Sequence, residues 1–345
     1  MVTVKDNFDL SGRNTFRMKV RCARFVEYDS AEELEALDFG ALPQPVLAMG
    51  GGSNLLFTGD FPGTVLHGRI GGIRVAAETP DGAVLVEAGA GVVFDDLCAW
   101  AAARGLWGLE NLSLIPGEVG AAAVQNIGAY GVEFGDLAVE VRCLEVATRV
   151  RRCFRVEECV YGYRDSLFKR PEVKGRYIVL SVLLRLSRAA DPRLRYGNIR
   201  AALGTDVPES PAQVRDAIIR IRQSKLPDPA EKGSAGSFFK NPVIPQEHFA
   251  HIEALTRAEL GADAAVPHYD AGEGMVKVPA AWMIERLGFK GLKAGNAAVW
   301  EKQPLVLVNE TGEAAPEEII ALESRIIAAV WEKYGIELHP EVEHI

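Results

Sequence analysis

Four short stretches combine residue types that can do chemistry. Gly162-Tyr163-Arg164-Asp165-Ser166 puts an aromatic ring, a cation, a carboxylate and a hydroxyl into one turn-like segment. Arginine suits a carboxylate or phosphate because its planar fork makes two parallel hydrogen bonds. The plain alternative is a surface turn held by Arg164 and Asp165. Ser224-Lys225-Leu226-Pro227-Asp228-Pro229 places Lys225 at a helix end. It either compensates the helix dipole or offers a point charge to a diphosphate. Gly233–Pro242, GSAGSFFKNP, sets two serines and two glycines before a Phe-Phe pair, Lys240 and Asn241. It is no GxSxG elbow and has no evident His–Asp pairing, which argues against a hydrolase nucleophile. A serine here could instead hand a proton to a very basic carbon centre. His339-Pro340-Glu341-Val342-Glu343 carries acids on a segment that would ordinarily be frayed. Its alternating pattern points instead to a docked strand over 336–342.

Two glycine-rich stretches could provide a surface for a ligand. Leu114–Gly131, LIPGEVGAAAVQNIGAYG, holds four glycines and almost nothing ionisable. It reads as too glycine-rich for a good helix and too small-sided for a core strand. Either it is a tightly packed turn, or its uncovered N–H groups face phosphates or a flat ring. Pro45–Met49 reads as a strand running into Gly50-Gly51-Gly52-Ser53-Asn54-Leu55-Leu56. This is not GxGxxG, and the apolar residues after it suit a strand, so a dinucleotide fingerprint fits poorly.

The elements that must position these stretches are mixed. The spacing predicts a folded region starting at Asn14-Thr15-Phe16, and a short helix capped at Ser30. It predicts strands at 64–67, 73–77 and 83–88, with Asp81-Gly82 as a hairpin turn. Helical spacing over Val93–Arg104 ends at Gly105. Strands are expected at 139–146, 150–156 and 177–186. Ser210-Pro211 opens a helix to about Gln223. Helices follow at 246–259, 279–287 and 316–334, with strands at 297–300 and 305–309. The order is that of an α+β protein.

Length and composition set the outer bounds. The 345 residues suffice for two or three domains, and 48% hydrophobic with 25% charged residues is ordinary for a globular enzyme. A net charge of −9 argues against a general nucleic-acid binder. Cys22, Cys98, Cys143, Cys153 and Cys159 are odd in number, lack CxxC spacing and read as reduced thiols. The histidines form no HxxxH pair, so no metal site is expected. No apolar signal core is evident in MVTVKDNFDLSGRNTF, and Tyr177–Leu186 is too short to span a bilayer.

Taken in order, these segments resemble the UDP-N-acetylenolpyruvoylglucosamine reductase (UDP-N-acetylmuramate dehydrogenase) family. The resemblance rests on Asn14-Thr15-Phe16, Gly52–Leu56, Leu114–Gly117, Gln125–Gly131, Gly162–Ser166, Lys225–Pro229, Gly236–Pro242 and Pro340–Val342. Arg195-Tyr196-Gly197-Asn198 resembles the tyrosine-bearing loop of the type I subgroup. Each motif alone is weak; eight in the right order are specific.

That resemblance implies a three-part α+β flavoenzyme with a vanillyl-alcohol-oxidase-type FAD-binding fold and a smaller α/β substrate domain. Residues 1–67 would form the first FAD-binding part, with strand 336–345 docking near the active site. Residues 68–210 would form the second part, and 211–335 the UDP-sugar domain. The implied reaction belongs to peptidoglycan precursor synthesis in the cytoplasm, with FAD as cofactor and NADPH as reductant. Hydride would pass from reduced flavin to C3 of the enolpyruvyl group. Ser237 would protonate C2, and Arg164 and Glu341 would stabilise the enolic intermediate. Glu341 would donate a hydrogen bond as a neutral acid or act through a neighbour as a carboxylate. Gly50, Gly51, Gly52, Ser53, Asn54, Leu55, Ile115, Pro116, Gly117, Gln125, Asn126, Gly128, Ala129 and Tyr130 match stretches that lie against FAD. Tyr196, Lys225, Asn241 and Lys293 match positions near the UDP-sugar, although some relatives carry glutamine at the position of Lys293. Glu118 and three alanines stand where the family often has cysteine or serine. A monomer is expected, with no nucleic-acid partner and no membrane insertion. The alternatives are a related flavin oxidase acting on another alcohol or sugar, and a non-catalytic nucleotide-sugar binder.

Overall fold

A computed structural model describes residues 1–345. The chain divides into two compact units: 1–13, 20–53 and 60–224 in the first, and 14–19, 54–59 and 225–345 in the second.

The first unit is built on two sheets. Thr3–Asp9, Arg21–Tyr28, Phe61–Gly68 and Val46–Ala48 lie side by side in that order. The outer pair Thr3–Asp9 and Arg21–Tyr28 is antiparallel; the other two pairings are parallel. The second sheet is antiparallel throughout, in the order Arg151–Arg155, Ala138–Glu145, Tyr177–Ser187, Ala83–Gly89, Ile73–Glu78. Its central strand Tyr177–Ser187 is buried on both faces along much of its length, as its near-continuous apolar run requires. Val26 and Leu66 of the first sheet pack with Leu144, Ile178 and Leu180 of the second. Helix Phe94–Ala102 seals the second sheet with Phe94, Leu97, Cys98 and Ala101, all at or below 1% exposure. Helix Pro211–Lys225 buries Val214, Ile218 and Ile221 with Trp107 and Leu194.

Two expectations fail in this unit. Folding starts before Asn14: Thr3–Asp9 is an edge strand, with register Thr3↔Glu27 through Asp9↔Arg21. Most of its side chains are exposed, so it shows no apolar alternation to read. The centre of Leu114–Gly131 is a helix, Val119–Gln125. Its three alanines carry the highest helix propensity. Gly120 lets the helix press close, since a Cβ there would stand 2.9 Å from the Ala90 Cβ.

The second unit has its own core. Gly233–Ser237, Val306–Asn309, Ala297–Val299 and Lys293–Ala294 form an antiparallel sheet in that order. Helix Pro316–Tyr334 covers it with Ile319, Leu322, Ile326 and Val330. Val243–Pro245, Met275–Lys277 and Tyr269–Asp270 form a smaller sheet beside helix Gln246–Leu260. The docked tail is found, but the strand is displaced. Ile336, Leu338 and Val342 are buried at alternate positions, while strand pairing begins at Glu343–His344, parallel to Leu55–Leu56. No helix is long and apolar enough to cross a membrane. All five cysteines are free.

Candidate functional site

In the first unit, the two glycine stretches come together. Ser53 Oγ donates to the Pro116 carbonyl at 3.1 Å. A Cβ on Gly51 would lie 3.6 Å from the Gly117 Cα, and one on Gly117 would lie 2.7 Å from Ser53 Oγ. Gly52 and Gly117 have positive φ, +63° and +109°, which suits residues without a side chain. Gly50–Ser53 and Ile115–Gly117 therefore make one close-packed surface, with backbone against backbone at Gly51 and Gly117. The start of the longer loop is braced: Asp95 accepts from the Leu114 N–H at 2.5 Å and binds Arg215 in a two-pronged ion pair at 2.5 and 2.8 Å. Burial raises the Asp95 carboxyl, but the hydrogen bonds from Arg215 and Leu114 outweigh it and leave its pKa lowered.

Within the helix the expectation of uncovered N–H groups narrows. Val119 and Gly120 donate to the Val92 and Ala90 carbonyls at 2.9 Å each. Asn126 caps the helix in the left-handed conformation and is 1% exposed. Its amide nitrogen donates to Glu133 and to the Gly162 carbonyl, and its oxygen accepts from Gly135 N–H. Gln125 accepts from Lys169 Nζ at 2.8 Å. These two side chains thus organise the loop.

Arg164 faces this loop. Its backbone is left-handed, φ +54°, in a turn closed by mutual Gly162–Asp165 backbone hydrogen bonds of 3.0 Å. Its Nη2 donates to the Gly128 carbonyl at 2.6 Å, and its guanidinium lies 5.4 Å from the Tyr163 ring centroid. Ser166 Oγ ties the turn to the Val124 carbonyl at 2.6 Å. Tyr130 and Tyr196 meet edge to face, with centroids 6.4 Å apart, and Tyr196 is 38% exposed. Arg164, Gly128, Ala129, Tyr130 and Tyr196 are therefore gathered in one region of the first unit.

Arg222 was not anticipated. It lies on helix Pro211–Lys225, and its Nε is enclosed without a hydrogen-bond partner. Burial lowers its pKa, opposed by Tyr130 and Asp95 and reinforced by the positive charge of Arg164. A buried orphan donor of this kind is costly unless a ligand satisfies it. The signal available in the sequence was an arginine continuing the buried helical face set by Val214, Ile218 and Ile221. Also unforeseen is a buried chain of contacts joining Glu27, His67 and Glu118, the last at the N-cap of helix Val119–Gln125. A separate cavity of about 480 Å³ is lined by Arg74, Arg142 and Arg151 among others, and by no predicted site residue. Those arginines are committed to Glu87, Glu140, Glu32 and Glu35.

In the second unit, Ser237 ends strand Gly233–Ser237 beyond a register shift, where Gly236 takes φ +73°. Phe238 and Phe239 follow, 0% and 1% exposed, and anchor the chain as expected. Asn14–Phe16 braces the other end of the strand. Ser234 N–H donates to the Thr15 carbonyl at 2.9 Å, and a Cβ on Gly233 would stand 2.3 Å from the Phe16 oxygen. Glu341 N–H donates to the Phe238 carbonyl at 2.7 Å, and the Glu341 carbonyl accepts from Asn54 Nδ2 at 3.1 Å. Ser237 and Glu341 thus sit on adjoining chains. Leu55 pairs with Glu343. Asn241 Oδ1 accepts from the Ala280 N–H at 3.0 Å. The Lys225 carbonyl accepts from Trp300 Nε1 at 3.0 Å. Lys293 Nζ is bound to Glu310 at 2.8 Å, which raises its pKa.

Comparison with known proteins agrees with this layout. Residues 23–153 match the family described as an FAD binding domain, and 228–345 match the UDP-N-acetylenolpyruvoylglucosamine reductase C-terminal domain. The chain is 48% identical over 343 residues to a UDP-N-acetylenolpyruvoylglucosamine reductase of Bacteroides fragilis, covering 99% of this chain and 100% of the relative. It is 47% identical over 339 residues to the reductase of Chromobacterium violaceum, covering 96% of each. The solved UDP-N-acetylenolpyruvylglucosamine reductase of Thermus caldophilus shares the fold, at 23% identity and a TM-score of 0.66 over 100% of this chain and 98% of that one. The expected α+β flavoenzyme fold and FAD cofactor are borne out by these matches, and the chain belongs to the UDP-N-acetylenolpyruvoylglucosamine reductase family of oxidoreductases.

Proposed function

We propose that the protein reduces UDP-N-acetylglucosamine enolpyruvate to UDP-N-acetylmuramate with NADPH, as a step in making peptidoglycan precursor. The single observation that carries this reading is the docking of the Glu341 segment against the residue that follows Ser237, by the Glu341–Phe238 backbone hydrogen bond of 2.7 Å. Two segments over a hundred residues apart, one carrying a hydroxyl and the other a carboxyl, are thereby held side by side at a strand end. FAD, when bound, supplies hydride transfer between NADPH and the enolpyruvyl carbon.

The first unit fits such a cofactor: in its glycine surface a Cβ on Gly117 would crowd Ser53 Oγ at 2.7 Å, and Arg222 carries an orphan donor. Gly50–Ser53, Ile115–Gly117 and Gly128–Tyr130 hold it chiefly by backbone, and Gln125 and Asn126 shape those stretches, while Asn54 and Leu55 belong to the second unit, tied to Glu341 and Glu343. The two FAD-binding parts, 1–67 and 68–210, correspond in this reading to the two sheets of the first unit, and the sugar domain expected at 211–335 to the second unit from Lys225 onward, helix Pro211–Lys225 packing with the first.

Arg164 binds the substrate carboxylate, on which charge builds as hydride reaches C3, and preorganisation by the Gly128 carbonyl lowers the cost of orienting it. Ser237 Oγ gives its proton to C2, and Glu341 stabilises the enolic form. Tyr196, Lys225 and Asn241 hold the UDP-sugar. Lys293, engaged with Glu310, contributes at the rim of that site. The enzyme acts as a cytoplasmic monomer.

Stopped-flow measurement of the Ser237→Ala variant tests the reading. NADPH should bleach the flavin at the normal rate, while the enolpyruvyl substrate should reoxidise it roughly 10²–10⁴-fold more slowly, the usual contribution of a positioned proton donor. Normal single-turnover reoxidation would remove Ser237 from the mechanism.

A further inference from the structure

Strand Phe61–Gly68 carries His67 opposite Glu27 of the parallel strand Arg21–Tyr28. His67 Nδ1 is 3.1 Å from Glu27 Oε1, and Nε2 is 3.0 Å from Glu118 Oε1. His67 and Glu27 are 8% and 7% exposed. Ionised carboxylates only accept hydrogen bonds, so both ring nitrogens must donate, or one carboxyl must carry the proton. Either way the trio holds one proton more than a neutral imidazole between two carboxylates. Arg13 Nη2 donates to Glu27 Oε1 at 3.1 Å, so the glutamate farther from the turn has a second cation. Glu118 has His67.

The other Glu118 oxygen reaches the glycine turn: a Cβ on Gly50 would lie 3.1 Å from Oε2 and 3.4 Å from the Glu118 Cβ. A carboxylate there would repel a diphosphate unless its charge were compensated. We propose that His67 is a positioning residue of the FAD site: bridging Glu27 and Glu118, it carries the proton that fixes and neutralises the Glu118 carboxylate beside Gly50, so that the Gly50–Ser53 turn accepts an anionic cofactor. The proposal rests on the reading of that turn as part of the FAD surface.

The groups facing His67 are Glu118 from the start of its helix, Glu27 from the neighbouring strand, and Arg13. The ring of Phe25 lies with its centroid 6.1 Å away. Arg69 acts on Glu27, and the Tyr28 hydroxyl feels Glu118. The Glu118 hydrogen bond, outweighing burial and Arg13, raises the His67 pKa. The proton is therefore held below that raised pKa and lost as pH rises through it. FAD affinity follows the same course, level on the acid side and falling on the alkaline side.

Titration of full-length apoprotein with FAD, read by flavin fluorescence across pH, tests this. His67→Gln should weaken FAD binding about tenfold at neutral pH, the effect of one uncompensated charge near an anion. Adding Glu118→Gln to His67→Gln should restore affinity, and Glu118→Gln alone should abolish the alkaline fall. Unchanged affinity in His67→Gln, a deficit that Glu118→Gln does not relieve, or a persistent alkaline fall in Glu118→Gln would each overturn the proposal. Gly117→Val probes the underlying reading separately. Weakened FAD binding there with normal His67→Gln overturns only the role of His67, whereas normal binding in Gly117→Val overturns the FAD surface and the role of His67 together.

Discussion

Leu114–Gly131 and Gly233–Asn241 are both rich in glycine, yet they use it in opposite ways. In the first, glycine brings backbone against backbone, and the polar side chains turn inward to hold the loop: Asn126 binds Glu133, Gly162 and Gly135. In the second, Gly233 lets Phe16 close over the strand and Gly236 bends it, while Phe238 and Phe239 sink into the core. The polar residues Ser237, Lys240 and Asn241 are left at the margin between exposed and buried. One region spends its side chains on its own shape; the other presents them. Substitutions in the first should therefore act on cofactor retention and stability, and substitutions in the second on turnover with the cofactor still held.

The largest test of that contrast is Glu341→Ala. Its side chain is not needed for the Glu341–Phe238 and Asn54–Glu341 backbone contacts, so FAD should remain bound. Turnover should fall roughly 10²–10³-fold, as when one preorganised stabilising group is removed. Steady-state kinetics beside a flavin absorption spectrum reads both, and loss of flavin along with activity would break the division of labour.

Arg215→Ala comes next. It leaves the half-buried Asp95 without its two-pronged partner and should lower stability by about 3 kcal/mol in denaturant titration. Since the lowered Asp95 pKa depends foremost on Arg215 among its favourable contacts, wild-type stability from this pair is present above the ordinary carboxylate range and fades as pH falls through the lowered value. The variant should lose that acid-side decline.

The smallest effect is expected from Arg222→Met. Removing a buried cation whose Nε has no partner, set against the loss of its Tyr130 hydrogen bond, should leave apoprotein stability within about 1 kcal/mol of wild type, while weakening FAD binding. An apoprotein destabilised by several degrees, with unchanged FAD affinity, would show that Arg222 serves the fold and not the ligand.

Much of the framework was legible because local signals agreed. Ser30 caps its helix by accepting from Glu33 N–H, and Gly105 ends the Phe94–Ala102 helix region with φ +67°. Tyr177–Ser187 announces itself by length and apolarity. What escaped depends on partners distant in sequence. Thr3–Asp9 pairs along an exposed edge and so has no reason to alternate. Helix Val119–Gln125 was masked by flanking glycines that lie mostly outside it. The tail's buried alternation was visible, but its strand pairing depends on Leu55–Leu56, nearly the whole chain away. The ordered motifs named Ser237, Arg164 and Glu341; no motif marks Arg222 or the His67 bridge, because each is defined only by what folds around it.

The Asn54–Glu341 hydrogen bond joins positions 287 residues apart. Closing a loop of that length costs on the order of 5 kcal/mol of chain entropy, so the contact forms only once the intervening chain is already compact. Every residue of the first unit lies at or before Ser224. During synthesis the flavin-holding unit can mature while residues 225–341 are still being made. An incomplete chain could then take up flavin yet lack the carboxyl at 341, so uptake of the cofactor and competence for reduction would be separate events in the life of each molecule.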